Sequence, residues 1–324
     1  MGYAIGTVTK GGGDDCHYQV LAIIKTLAEA NGWTTLRYVS TGLDRELILK
    51  GVGLSGLEEI FVGFKCYQSV GGDYYNINCG TFVGYVSGNS FETQPGGKYS
   101  GCPAHNNAIT YFITANAQRI VGCFKVGTPV YEHFYVGKLF PYARPGEYPS
   151  PLVVASMFNG PEAKRFSDTS HNFPYFGRVN GTTSATSSFL FLRNQAGNWE
   201  QYYHYPFSNG TSTSNALCAP QGSGTLVPAD VYYQFEPIIL QESASSGVIP
   251  RNVFGELDSV YFCSGFNNGV ENVVQEGGSS VVDQTGLTVL QAVDAIKAVG
   301  GRAFVMMQNV NRTSWRDFVA LEMK

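Results

Sequence analysis

One stretch near the N-terminus has the spacing of an amphipathic helix, whereas most of the runs after it alternate like strands. Asp14 and Asp15 offer N-cap oxygens at its start, and Asn31-Gly32 is a typical stop. Its apolar positions recur at helical spacing: Val20, Leu21, Ile24, Leu27 and Ala28. The pattern therefore predicts a helix over residues 15–31 that packs one face on a sheet.

After this helix the apolar residues recur with period two, which is typical of strands. The runs lie over residues 33–39, 45–50, 57–67 and 73–85. This succession predicts an antiparallel meander under the helix. The turn-forming residues at 87–89 and 94–98 then indicate a long surface loop over 86–104.

Short strand-like runs continue through the rest of the chain. Residues 105–116 fit either a helix or a strand, and the segment 193–198 has the composition of a hairpin turn. A short helix is predicted over 286–299, followed by a last hairpin that joins 302–309 to 315–323. The other predicted strands lie over residues 119–130, 133–139, 187–192, 199–205, 232–240 and 260–266.

Four prolines within eleven residues suggest a domain boundary near residue 150, because each one restricts the backbone: Pro141, Pro145, Pro149 and Pro151. We expect an α+β core domain over 1–150, a β-rich domain or insertion with much Ser, Thr and Gly over 151–250, and a C-terminal helix and hairpin over 251–324 that return to the core. The predicted fold class is α+β, mainly β, with an N-terminal helix packed on an antiparallel sheet and a sandwich-like β-rich region after it.

Charge excludes several classes of function. Charged residues make up 14% of the chain against about 25% in ordinary domains, and the net charge is -4 without any Lys/Arg cluster. Such a chain has nothing to neutralise a run of phosphates, so we expect no nucleic-acid partner. No window reaches 18 consecutive apolar residues, so we expect no membrane insertion, and the N-terminus does not have the pattern of a signal peptide. Seven cysteines without a CxxC pair are expected to be reduced.

The segment Gly51-Val-Gly-Leu-Ser-Gly56 matches the GxGxxG pattern of dinucleotide sites, with Asp73 about twenty residues further on. A phosphate-binding loop must open a helix whose N-terminal amides face the ligand. The residues after Gly56 alternate like a strand instead, so we predict a hairpin turn and no cofactor.

Two further patterns suggest chemistry but favour structural roles. Cys102 and His105 have the spacing of half a zinc site, yet the other histidines are isolated, so we predict no metal. Glu58, Glu59 and Asp73 are the candidates for paired carboxylates that would hydrolyse a glycosidic bond. Because neighbouring strand residues point to opposite faces, Glu58 and Glu59 cannot share one cleft. We therefore assign no catalytic, cofactor-binding or metal-binding residue and expect no enzyme.

Several segments together resemble a family of structural proteins from the virions of tailed bacteriophages. The clearest are Glu46-Leu-Ile-Leu-Lys-Gly-Val-Gly53 and Tyr135-Val-Gly-Lys-Leu-Phe-Pro-Tyr-Ala143. The other segments lie over residues 32–37, 59–64, 73–76, 84–85, 115–121, 148–152, 260–266 and 308–313. The resemblance covers about two thirds of the chain and leaves residues 160–230 unmatched.

The resemblance implies a virion component, assembled in the cytoplasm of the host bacterium, that acts without catalysis. Its partners would be copies of itself, in a symmetric ring on a tail or baseplate, and neighbouring virion proteins; the loops 86–104 and 206–228 and the sheet edges are available for pairing. Low charge and many aromatic residues are also typical of interface cores. Two alternatives are a head decoration or neck protein and an adsorption module that binds host glycans. Its sugar-stacking residues would be Trp199, Tyr202, Tyr203 and Tyr205.

Overall fold

Three antiparallel sheets and one α-helix make up the part of the chain that the structure, a computed structural model, describes. That part consists of residues 1–11, 13–127, 130–144, 146–148, 150–160, 163–168, 174–175, 189–201, 235–241, 253–263, 296–299, 301–308, 310 and 318–323. Two single-turn 3-10 helices, Val70–Gly72 and Phe91–Thr93, lie in connections between strands. This architecture confirms the predicted fold class.

Helix α1, Cys16–Glu29, lies where the apolar spacing predicted it and buries Val20, Leu21 and Ile24. Asp15 occupies the N-cap position without a side-chain capping bond. Its carboxylate instead pairs with Lys10 at 3.1 Å, and that of Asp14 pairs with Arg45 at 2.7 Å. The predicted side-chain cap is therefore wrong, because nearby cations bind both carboxylates.

The strands are numbered in chain order. They are β1 Gly2–Val8, β2 Trp33–Val39, β3 Glu46–Gly51, β4 Ile60–Ser69, β5 Tyr74–Phe82, β6 Lys98–Pro103, β7 Ile109–Asn116, β8 Arg119–Val126, β9 Val130–Lys138, β10 Phe140–Pro141, β11 Leu152–Ser156, β12 Phe158–Asn159, β13 Phe189–Arg193, β14 Trp199–Gln201, β15 Phe235–Gln241, β16 Val253–Cys263, β17 Ile296–Val299, β18 Arg302–Gln308 and β19 Phe318–Glu322.

These strands form three layers. The central sheet has the order β1-β7-β8-β9-β11-β13-β14, and the helix-side sheet has the order β12-β6-β5-β4-β3-β2. The C-terminal sheet has the order β10-β16-β19-β18-β17, with β15 also paired to β16. All strand pairs in the described part are antiparallel.

The central sheet lies between the other two and is buried on both faces. One face packs with α1 and the helix-side sheet, where the rings of Phe64 and Phe134 meet edge to face at 5.7 Å. The opposite face packs on the C-terminal sheet through residues such as Val121, Val305 and Leu321. Burial on both faces explains why β8 and β9 are almost continuously buried instead of alternating.

Two connections close the sandwich between the central and helix-side sheets. On one side, α1 joins β1 to β2, which are edge strands of the two sheets, and packs against both. On the other side, the chain leaves the central sheet at Ser156 and enters the helix-side sheet at Phe158. The hydroxyl of Ser100 on β6 donates to the carbonyl of Phe158 at 3.0 Å and holds this corner.

Three predictions of local structure need correction or completion. The predicted loop over 86–104 contains strand β6, because Ser100 and Cys102 are fully buried and pair with β5. Residues 296–299 of the predicted helix over 286–299 are strand β17, because they pair with β18; residues 286–295 lie outside the described residues. The ambiguous segment 105–116 forms strand β7 over its last eight residues.

Strand pairing crosses the position near residue 150 where the prolines suggested a boundary. Strand β11 pairs with β9 in the central sheet, and β10 pairs with β16 in the C-terminal sheet. The strands on both sides of this position therefore share sheets, while the division into three domains stays a prediction.

Candidate interaction surface

Large apolar side chains are exposed at one end of the three-layer sandwich. Leu54 and Leu57, in the connection between β3 and β4, are 61% and 91% exposed. Phe140 and Tyr142, around β10, are each 48% exposed. Together with the smaller Val52 they form what we call the apolar end: Val52, Leu54, Leu57, Phe140 and Tyr142.

Polar contacts hold the segments of the apolar end together. The ammonium of Lys138, at the end of β9, lies 2.9 Å from both carboxylate oxygens of Glu58. Leu57 directly precedes Glu58, and Phe140 lies two residues after Lys138. The amide of Gly53 also donates to the carbonyl of Ala117 at 3.0 Å, which attaches this connection to the turn between β7 and β8. The apolar end therefore spans the edges of all three layers.

Ion pairing satisfies the charged groups within and beside the apolar end. Lys138 pairs with Glu58, and Lys50 pairs with Glu59 at 2.5 Å. The phenol of Tyr142 donates to Glu256 at 2.7 Å. A surface with paired charges and exposed leucine and phenylalanine side chains is suited to bury apolar area against another protein.

A buried polar network supports the base of this end. Arg119 begins β8 directly after the turn and is fully buried. Its Nε lies 3.4 Å from Oδ2 of Asp258 on β16, and its Nη2 donates to Ser259 at 2.5 Å. Burial alone would raise the pKa of Asp258, but the charge of Arg119 and hydrogen bonds from its neighbours lower it. The network fixes the turn between β7 and β8 relative to the C-terminal sheet.

The GxGxxG segment forms the hairpin connection that the sequence predicted. Strand β3 ends at Gly51 and β4 starts at Ile60, and the two strands pair antiparallel. Gly53 and Gly56 have φ values of +67° and +76°, which few other residues adopt. The amides therefore open a turn between two strands and do not begin a helix, so the geometry differs from that of a phosphate-binding loop.

Cys102 and His105 do not form part of a metal site among the described residues, where no cluster of three ligands occurs. Cys102 is fully buried, and burial raises the pKa of its thiol. The ring of His105 lies 4.6 Å from that of Phe166, and its Nδ1 accepts from the amide of Asn107 at 2.9 Å. Both side chains thus have structural partners.

The three acidic candidates for a hydrolytic pair have different partners. The prediction that Glu58 and Glu59 lie within a strand is wrong, because β4 begins at Ile60; they precede it and bind two different lysines, Lys138 and Lys50. Asp73 lies in the connection before β5 and has a φ of +56°. Its carboxylate lies 3.8 Å from His105. The structure therefore does not bring these carboxylates together in one cleft.

The aromatic residues of the glycan alternative are only partly described. Trp199, on β14, is half-buried against the core, and its indole N–H donates to the carbonyl of Gly96 at 2.9 Å. The indole N–H is thus already paired within the chain. Tyr202, Tyr203 and Tyr205 lie outside the described residues, as does the predicted loop over 206–228.

A buried cysteine and histidine lie close together without the geometry of a catalytic pair. Sγ of Cys123 is 3.8 Å from Nε2 of His133. The same nitrogen lies 2.6 Å from the carbonyl oxygen of Gln308, which can only accept, so Nε2 carries the proton. Burial also lowers the pKa of His133 to about 4. A protonated Nε2 cannot take the thiol proton, so Cys123 is not activated by this contact.

The apolar end was missed in the sequence, although one signal was present. The connection 52–59 contains two leucines, Leu54 between two glycines and Leu57 directly after the second glycine, in a turn that cannot bury them. Phe140 comes two residues after the buried strand β9, so in the sequence it resembles a continuation of that strand. Exposed apolar residues in turns are informative only when several segments bring them together.

No model of a known protein family matches this chain, and no curated protein matches it either. Within the described residues, no α-helix is long and apolar enough to span a membrane.

Proposed function

We propose that this chain is a structural component of a tailed-phage virion, a tail or baseplate subunit that assembles into a symmetric ring and docks to neighbouring virion proteins. It acts by occupying its place in the particle, and the proposal assigns it no catalytic residue, cofactor or metal. The resemblance of about two thirds of the chain to that family is one support.

The observation that carries the proposal is the apolar end. Leu57 is 91% exposed on a rigid hairpin that Glu58 and Lys138 attach to the central sheet. Phe140 adds an aromatic ring from a second layer. An isolated chain would keep this apolar area in water, whereas a subunit in a ring would bury it against its neighbour. Preordered apolar surfaces of this kind are what interfaces require.

The proposal is tested by the composition of purified particles. Virions banded in a density gradient and washed in high salt should contain this chain in a fixed ratio to the major capsid protein, measured by quantitative mass spectrometry. Loss of the chain during the wash, or its absence from banded particles, would overturn the proposal. Particles that contain the chain but lose cell binding when Trp199 is changed to Ala would favour the glycan alternative.

A further inference from the structure

Among the residues that the structure describes, the first strand of the central sheet is an edge strand without the usual protection against pairing. Natural edge strands are short, carry a bulge, a proline or a charge, or are covered by a helix or loop, because an open edge offers backbone groups to other strands. Helix α1 contacts β7 as well as β1, so it lies across a face of the sheet and not along the outer edge of β1. Strand β1 covers seven residues, Gly2–Val8, and pairs with β7 at every position without a register shift. It contains no charged residue and no proline.

The other edge strands in the described part of the chain are protected. Strand β2 has a register shift between Thr35 and Arg37, and Arg37 adds a charge. Strand β15 has two register shifts and contains Pro237. The remaining edge strands, β10, β12, β14 and β17, have at most four residues. Strand β1 is therefore the long, regular and uncharged edge.

We infer that β1 pairs with β1 of a second copy of this chain, antiparallel and around a two-fold axis near Ile5. This inference deepens the proposed function by naming one self-association surface. A two-fold contact closes on itself, so it joins two subunits and leaves the ring contacts to another surface such as the apolar end. The joined edge would be roughly 24 Å long, from seven residues at about 3.4 Å each.

The residues of β1 suit a second copy in this register. Ile5 would face Ile5, and Tyr3 would face Thr7 of the other copy, so no like charges meet. Tyr3 is 50% exposed and Thr7 is also exposed, so both side chains can reach a second copy, and the hydroxyl of Thr7 keeps its hydrogen bond of 2.9 Å with that of Thr110. The alternate positions, Gly2, Ala4 and Gly6, are small because they face the chain's own interior, where the side chains of Asn31 and Tyr111 lie against the two glycines.

Disulfide trapping tests the inferred register. Opposite residues of antiparallel strands have Cα atoms about 4.5 to 5.5 Å apart, which a disulfide can bridge. The double variant Tyr3→Cys/Thr7→Cys should form two disulfides across the axis and migrate, without reductant, at twice 35.2 kDa. Each single variant is a matched control and should remain at the position of the wild type, because its cysteine faces no cysteine. Equal cross-linking of a single variant and the double variant would overturn the inference.

Charge variants test the same β1 pairing and do not depend on whether the cysteine variants fold. Tyr3→Lys/Thr7→Lys places lysines opposite each other and should raise the dissociation constant of the dimer about tenfold. Tyr3→Lys/Thr7→Glu introduces the same number of charges but pairs opposite signs, so its dimer should persist in sedimentation equilibrium. A wild-type chain that stays monomeric at every concentration, or equal behaviour of the two variants, would refute β1 pairing. Since these measurements use purified chain, their failure leaves the test of the chain's presence in virions unaffected.

Discussion

Arg119 and Asp258 form a buried ion pair that joins the central sheet to the C-terminal sheet, with 3.4 Å between Nε and Oδ2. Arg119 is fully buried, and Oδ2 of Asp258 also accepts from Asn116 at 2.8 Å and from Gln118 at 2.9 Å. Each charge therefore depends on the other for compensation, because water does not reach the guanidinium. The pair holds together two layers that contribute to the apolar end.

Replacing Asp258 by Ala should lower the free energy of unfolding by about 3–5 kcal/mol, because Arg119 would remain buried without its counter-charge. Urea unfolding followed by tryptophan fluorescence measures this loss. Glu29→Ala is the control, since it removes the exposed partner of Lys25 within α1 and should cost at most about 0.5 kcal/mol. Equal losses for the two variants would show that the buried pair contributes no more to the free energy of unfolding than the exposed pair.

Acid should destabilise the protein through His17. This side chain is fully buried, and neither ring nitrogen has a hydrogen-bond partner among the described residues. Burial lowers its pKa from 6.5 to about 4, against the smaller raising effect of Asp15, while Arg45 and His105 nearby also lower it. Below pH 6.5 the unfolded chain binds a proton that the folded chain accepts only near pH 4. The contribution of His17 to stability is thus complete above pH 6.5 and is lost between 6.5 and 4.

The variant His17→Phe should reduce the loss of stability between pH 6.5 and 4 by about 3 kcal/mol. Phenylalanine can keep the ring contacts to Tyr18 and Tyr75, whose centroids lie 3.9 and 5.5 Å from that of His17. At pH 7 the variant should be at least as stable as the wild type, because two unpartnered nitrogens are removed. Urea titrations at several pH values measure both effects. Parallel pH profiles of variant and wild type would contradict this account of His17.

Gly137 should not tolerate a side chain. It lies in β9 with a φ of +118°, and an added Cβ would lie 2.4 Å from the carbonyl oxygen of Gln118. Gly137→Ala should therefore cost several kcal/mol, of order 3, through backbone strain and overlap. Gly88→Ala is the matched control, because Gly88 has open space around its Cα and no positive φ. Thermal unfolding of the two variants should separate them clearly, and a mild effect at Gly137 would contradict the geometry of β9.

Under the proposed function, the apolar end should determine assembly without contributing to the fold of the single chain. Leu57→Asp should abolish incorporation into particles and leave the unfolding free energy within about 0.5 kcal/mol of the wild type, as is usual for exposed sites. The control is Leu43→Asp, which alters a leucine that is 66% exposed in the connection between β2 and β3, at the opposite end. Particle incorporation is measured by complementation of a phage that lacks the gene. Equal incorporation of both variants would argue against the apolar end as an interface.

Local periodicity was sufficient to predict helix α1 and the meander from β2 to β5. It failed where tertiary pairing decides the structure. The pattern predicts a loop at strand β6 because glycine and proline at 94–97 directly precede it, although Ser100 and Cys102 are buried in the core. Strand β17 falls in a predicted helix, because its extended backbone depends on pairing with β18 and local periodicity does not reveal that pairing.

The candidate surface was less accessible to sequence reasoning than the fold. The burial of Arg119 depends on Asp258, which lies far along the chain. No local sequence pattern predicts this contact. Leu57 and Phe140 belong to different layers, and their proximity follows only from the pairing of Glu58 with Lys138. What could be predicted was the hairpin turn at the GxGxxG segment, because a strand after the glycines is a local property.

The most direct test of the central claim is electron microscopy of intact virions with a gold-labelled antibody against this chain. The account predicts gold at one fixed position on the tail or baseplate of nearly every particle, in a pattern that repeats around the tail axis. Gold over the capsid would contradict the tail assignment in favour of decoration. Particles without any gold, from a preparation in which the antibody recognises the purified chain, would contradict the claim that the protein is part of the virion.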